Sequence, residues 1–258
     1  MSYKNLNKVH YILSLGLFMI IGCTSDPVSE SFVNVSYQYE LRMHQGLSEN
    51  GGIPAVQIIS IDEQECINSF ISYQTLLNQE KILVYLNDIV LEDECETGNQ
   101  KIRQLIDLPT SLSTTPLEIQ LKDVIRNQGL IHKNDLEFEL ELHQFDGLKI
   151  SRTKIRRVRK DMLWGRFSSN NQDALDSVDE YIKALDRNDV KIIGDYGYFY
   201  LDHNREVHLD AASEGIAFLI STDENFKEIK TRILELKEEF PSLEFEATNY
   251  AGSTMNIE

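Results

Sequence analysis

Asp202, His203, His208 and Asp210 lie within nine positions of one another. His and Asp are the side chains that acid–base hydrolysis and metal coordination use most. Asn204-Arg205 between them reads as a two-residue hairpin turn. On such a turn His203 faces Glu206 and Asp202 faces Val207. His203 and His208, an odd number of positions apart, then point to opposite faces of the ribbon. The pattern reads either as a polar turn or as part of a hydrolytic or metal site drawing on Asp195, Asp202, His203 and His208.

Acidic residues crowd two of the three cysteines. Asp62, Glu63 and Glu65 precede Cys66, and Glu92, Asp93, Glu94 and Glu96 surround Cys95. If these cysteines pair, the carboxylates converge, and like charges about 5 Å apart repel by roughly 0.8 kcal/mol per pair even in water. Ca²⁺, which accepts about six to eight oxygens in loose geometry, would relieve that repulsion. The other reading is a solvated acidic rim, and no other cofactor is implied. The chain has no Asp-x-Asp-x-Asp-Gly loop, Gly-x-Ser-x-Gly, His-Glu-x-x-His, P-loop, Gly-x-Gly-x-x-Gly or Cys-x-x-Cys, so no catalytic residue is assigned.

Two further groups of residues are suited to binding. Tyr196, Tyr198 and Tyr200 alternate beside Gly194 and Gly197. On one exposed strand face they would stack on sugar rings; beneath a helix they would be core. Residues 151–167 carry Arg152, Lys154, Arg156, Arg157, Arg159, Lys160 and Arg166 against one acid, Asp161. Their partners are either internal, on the carboxylate row Glu137, Glu139 and Glu141, or external. Cross-strand ion pairs contribute ~0.2–1 kcal/mol each. External partners would be lipid phosphates, lipopolysaccharide or an acidic protein, met by Arg156, Arg157 and Arg159 with Trp164.

The elements that position these residues follow from hydrophobic periodicity. Val33, Val35, Tyr37, Tyr39, Leu41 and Met43 alternate with polar residues, as do Leu136, Phe138, Leu140 and Leu142, and more briefly Leu117, Ile119 and Leu121. Period two predicts half-buried strands. Residues 82–86 and 89–91 around Asn87-Asp88 predict a tight hairpin, and 64–79 has room for a short helix. These features predict an antiparallel β-sandwich over 32–167, with the basic segment at its end. A smaller α+β domain over 168–258 follows. Leu175, Val178, Ile182 and Leu185 share one helix face, as do Phe226, Ile229, Ile233, Leu236 and Phe240. Ser221 and Glu224 predict a capping box for that second helix, and Pro241 ends it. Strands are predicted at 190–193, 198–201, 206–209, 216–220 and 243–247, with helices on one face of the sheet. The fold class is α+β overall.

The amino terminus bears on location. Lys4 and Lys8, with no acid, precede an apolar run over residues 9–21. That run is shorter than the ~20 residues that span a bilayer and suits a signal-peptide core. It ends in Ile20-Ile21-Gly22-Cys23. This segment resembles the signal of bacterial membrane lipoproteins, whose lipobox reads aliphatic, small or aliphatic, Gly/Ala/Ser, Cys. The resemblance covers the first 23 residues. It implies removal of residues 1–22, diacylglycerol on the Cys23 thiol and an acyl chain on the new amine, an effectively permanent membrane anchor. Residues 23–31 would be the tether. Asp directly after the cysteine marks inner-membrane retention in that family; Thr24 stands here, which implies the outer membrane. Export to an oxidising compartment favours pairing of Cys66 with Cys95 over two buried thiols.

The chain carries 25 basic and 42 acidic residues, a net charge of −17 that becomes −19 when Lys4 and Lys8 leave with the signal. Such a surface repels nucleic acid. The expectation is a lipid-anchored cell-envelope protein that binds a protein partner or ligand, as an envelope-complex subunit, a receptor or an immunity protein. The alternatives are an envelope hydrolase with a His/Asp site and a glycan-binding lipoprotein.

Overall fold

The computed structural model describes residues 38–258 apart from 50, 51, 79, 80, 92, 93, 123, 190 and 210–213. The signal, Cys23, the tether and residues 33–37 of the first expected strand lie outside the described residues. So do Glu92, Asp93 and Asp210.

The chain runs β1 (Tyr39–Gly46), β2 (Ile53–Ser60), β3 (Gln64–Cys66), β4 (Phe70–Leu77), β5 (Ile82–Val90), β6 (Thr97–Gln100), β7 (Arg103–Asp107), β8 (Thr114–Leu121), β9 (Ile125–Lys133), β10 (Glu137–Leu142), β11 (Leu148–Arg152) and β12 (Lys154–Arg156). It continues with β13 (Met162–Ser168), α1 (Gln172–Leu185), β14 (Gly194–Asp195), β15 (Phe199–Leu201), β16 (Val207–Leu209), β17 (Ile216–Ser221), α2 (Phe226–Glu239), β18 (Glu244–Asn249) and β19 (Thr254–Ile257). The fold is mixed α+β and rich in strand.

A four-stranded sheet, β11-β1-β2-β7, and a six-stranded sheet, β12-β10-β9-β8-β5-β4, bury one core between them. Leu41, Met43, Val56, Ile58 and Ile106 come from the first, and Val84, Ile119, Ile131, Phe138 and Leu140 from the second. Each such burial contributes about 1.5–3 kcal/mol. The expectation of purely antiparallel pairing is corrected, because β1 pairs with β11 and β5 with β8 in parallel. Side-chain alternation is the same in both ladder types and carries no strand direction.

Three local expectations are also corrected. Asn87-Asp88 is no turn: Tyr73 faces Leu86 and Ile71 faces Ile89, so Asn87 and Asp88 together oppose Ser72 as a bulge within β5. The short helix expected within 64–79 is replaced by β3 and β4, where Phe70, Ile71, Tyr73 and Thr75 are strand-forming types. Residues 191–193 form no strand; pairing starts at β14.

In the third sheet, β17-β13-β18-β19, β13 sits between β17 and β18. The end of the basic segment therefore belongs to this sheet, ahead of the composition break at 168. Leu163, Phe167, Phe245 and Ala247 pack on one face against Val178 and Ile182 of α1 and Ile229 and Ile233 of α2. The helix starts are capped by asparagines. Asn171 accepts from the Asp173 amide and Asn225 from the Lys227 amide, each at 2.9 Å. The capping box expected at Ser221 is not formed, because Ser221 still belongs to β17.

The outward face of β1 is covered as well. Glu40 is 8 % exposed and accepts from the Ser151 hydroxyl at 2.6 Å and from Arg42 Nε at 2.7 Å. Burial pushes its carboxyl up, but the Ser151 and Arg42 donors, with Lys149 nearby, outweigh burial and hold it down to about 2 against an ordinary 4.5. A depressed folded value is stabilising above the unfolded value and is lost as pH falls from about 4.5 toward 2. Glu40→Gln is expected to lower the unfolding free energy at pH 7 by about 2 kcal/mol, the shift being discounted for solvent screening of its ion pairs, with the difference from wild type vanishing near pH 2, as measured by urea titration.

Candidate functional site

The basic segment turns inward. Antiparallel pairing sets Glu137 opposite Arg156 and Glu139 opposite Lys154. Lys154 bridges Glu137 at 2.5 Å and Glu139 at 3.5 Å, and Arg156 meets Glu137 at 2.8 Å. Arg157 donates to the Asn134 carbonyl at 2.9 Å, with its guanidinium 5.1 Å from the Phe138 ring centroid. Arg159 grips Asp161 with two donors at 3.0 and 3.1 Å and reaches the Ser221 hydroxyl. The strand carboxylates and loop carbonyls thus engage Arg156, Arg157 and Arg159 within the fold. Trp164 is 4 % exposed and packs on Tyr198 and Phe199.

Tyr196, Tyr198 and Tyr200 do not share one exposed face. Gly197, at φ +87°, breaks the alternation between Tyr196 and Tyr198. Tyr196 is buried and stacks on Phe199 at 4.6 Å. The Tyr198 hydroxyl donates to the Gln45 carbonyl at 2.5 Å, and burial pushes its pKa up. Of the three, only Tyr200 is exposed.

The turn after β15 is longer than expected. Leu201 faces Val207, so the loop holds residues 202–206 and the register moves by one. That shift brings Asp202, Glu206 and His208 together, the one group of three such residues among the described residues whose ligand atoms all lie within 4.8 Å. Asp202 Oδ2 lies 3.2 Å from His208 Nε2, and Oδ1 accepts from the Asn204 and Glu206 amides at 2.8 Å. The Glu206 amide, then His208 and the Asn204 amide, hold the Asp202 carboxyl below its ordinary value. The cluster thus closes its own loop. His203 stands outside it, and Asp195 is engaged with Arg152 at 2.8 Å and the Gly197 amide at 2.7 Å. Glu206 was missed because its place depends on that one-residue register.

Cys66 and Cys95 meet at disulfide distance, with Cα atoms 5.3 Å apart, where β3 pairs with β6. Asp62, Glu63, Glu65 and Glu94 are exposed and belong to no ligand group of three among the described residues.

One cleft, of about 360 Å³, brings together residues from two sheets. One wall is the outward face of the β11-β1-β2-β7 sheet, with His44, Arg103 and Leu105. The other is the face of β13 and β18 opposite the helices, with Trp164, Arg166 and Glu246. His44 is buried, edge-on to Tyr198 at 4.4 Å, and its Nδ1 lies 3.1 Å from the Gln45 carbonyl. Arg166 Nη2 pairs with Glu246 at 2.7 Å, while its Nη1 is buried with no acceptor among the described residues. Arg103 makes no ion pair among the described residues. Neither arginine was singled out as a ligand group, because strand parity places them outward but says nothing of the surface they face. No protein-family model, curated protein or solved structure matches the chain.

The cysteine pair is 29 positions apart, and on the chain-entropy model a loop of that length stabilises by roughly 3.5 kcal/mol. Replacing both cysteines by serine is expected to lower the guanidinium unfolding free energy by about that amount, and dithiothreitol should do the same to the wild type.

Proposed function

We propose that this chain is a lipid-anchored protein of the bacterial cell envelope, held at the outer membrane through Cys23, and that it acts by binding rather than by catalysis. The observation that carries the reading is Ile20-Ile21-Gly22-Cys23 behind a short basic and apolar leader. The cysteine pair at disulfide distance supports it, since such pairs persist in oxidising compartments. Among the described residues no helix is long and apolar enough to cross a membrane. In this reading the two facing sheets, ending at β12, are a β-sandwich, and the sheet from β13 onward with α1 and α2 is the smaller α+β unit. Binding is favoured over hydrolysis by where the groups fall. The cleft offers guanidinium donors and aromatic rings, whereas Asp202, which meets His208 of β16, sits in a loop whose own amides occupy it.

Expression of the full-length chain in a bacterial host with labelled palmitate tests the anchor. Label should appear on the wild type and vanish from Cys23→Ser, which should leave the sedimenting membrane fraction. An unlabelled, full-length wild type free in the cytosol would reject the reading.

A further inference from the structure

We propose that the cleft between the outward face of β1, β2 and β7 and the helix-free face of β13 and β18 binds a monocarboxylate carried on a six-membered ring. The carboxylate would lie between Arg103 and Arg166, and the ring against Trp164 and Tyr198. This inference deepens the binding reading and does not depend on the lipid.

The polar side of the argument starts from the two arginines. In a chain of net charge −17, Arg152, Lys154, Arg156 and Arg159 of the basic segment find carboxylates within the fold. Arg103 makes no ion pair among the described residues, and Arg166 keeps a buried Nη1 without an acceptor after Nη2 has met Glu246. A buried donor attached to a charged group is unfavourable without a partner, and the planar guanidinium fork matches a carboxylate. Arg103, Arg166 and Glu246 together leave one net positive charge in the cleft, which suits a monoanion better than a phosphate dianion.

The apolar side follows from the walls. Leu105, Leu209, Trp164 and Tyr198 line the same space, and its volume of about 360 Å³ lies within the ~300–1,000 Å³ typical of small-molecule sites. The parts of Trp164 and Tyr198 that reach the cleft, with Leu105 and Leu209, give a ring an apolar surface to lie against. A ring carboxylate can come from an acidic sugar or from an aromatic acid, and the two are separable by titration.

Trp164 is the only tryptophan of the chain, so its emission reports on the cleft directly. The detergent-solubilised full-length chain would be titrated with D-glucuronate, benzoate and D-glucose, exciting the tryptophan selectively. A saturable change is expected with at least one of the two carboxylates and none with D-glucose, the responding carboxylate identifying the source. Arg103→Gln and Arg166→Gln should each weaken binding at least about tenfold. Glu246→Gln should tighten it, a gain that loss of structure would not produce. No saturable response to either carboxylate, an equal response to D-glucose, or unchanged affinity in Arg103→Gln would overturn the inference. An unacylated chain with a responsive cleft would remove the anchor and leave this inference standing; an acylated chain with a silent cleft would do the reverse.

Discussion

Gln45 sits at 0 % exposure in β1, and the way it is satisfied governs how the two halves of the fold meet. Its amide donates to the Val158 carbonyl at 3.2 Å and its side-chain oxygen accepts from the Val158 amide at 2.9 Å. Its own carbonyl accepts from Tyr198. A buried primary amide is tolerated only when its hydrogen bonds are made, because each unmet group is unfavourable by about 1–3 kcal/mol. This one residue therefore ties the first sheet to the chain entering β13 and to the tyrosine before β15. Trp164, Tyr198 and His44 then pack where they do, and the cleft is the space left beside them.

Charge is organised by the same economy of position. The acids outnumber the bases, yet the exposed strand face of β10 and the loops around Asp161 gather cations rather than scatter them. Arg187 reaches Asp161 at 2.9 Å and Asp189 at 2.6 Å and also bonds Asp223, joining the loop after α1 to the turns beside β13 and β17. Exposed pairs of this kind contribute little singly; their consequence here is specificity of arrangement. Arg103 and Arg166 line the cleft, together with His44, Gln57, Glu246 and Thr248.

How much was legible depended on the range of the interaction. The apolar faces of α1 and α2 and the alternation in β1, β8 and β10 are properties of a few consecutive residues, and they are found where periodicity placed them. The Glu137 and Glu139 row could be matched with the basic segment because both patterns are local and complementary. The Asn87-Asp88 bulge could not be separated from a turn, since both use the same residue types and differ only in what lies across the ladder. The five-residue loop over 202–206 was read as two, and a single step of register exchanged Val207 for Glu206 opposite Asp202 and drew His208 into contact. Tyr196, Tyr198 and Tyr200 alternate in sequence but not in space, because Gly197 takes a backbone conformation that alternation does not record.

By itself the sequence determined element type and apolar face for the long periodic segments, and the amino-terminal signature on which the proposed anchor rests. Both depend on contacts between neighbours along the chain. Tertiary structure alone decided strand direction, the parallel pairing of β1 with β11 and β5 with β8, and which outward residues ended up facing one another. The outward side of β1 and β7 is polar in pattern and could face water equally well. It is one wall of a cleft because the third sheet faces it, with Gln45 bonded to the chain entering that sheet, and such long-range contacts leave no periodic trace in the residues they unite.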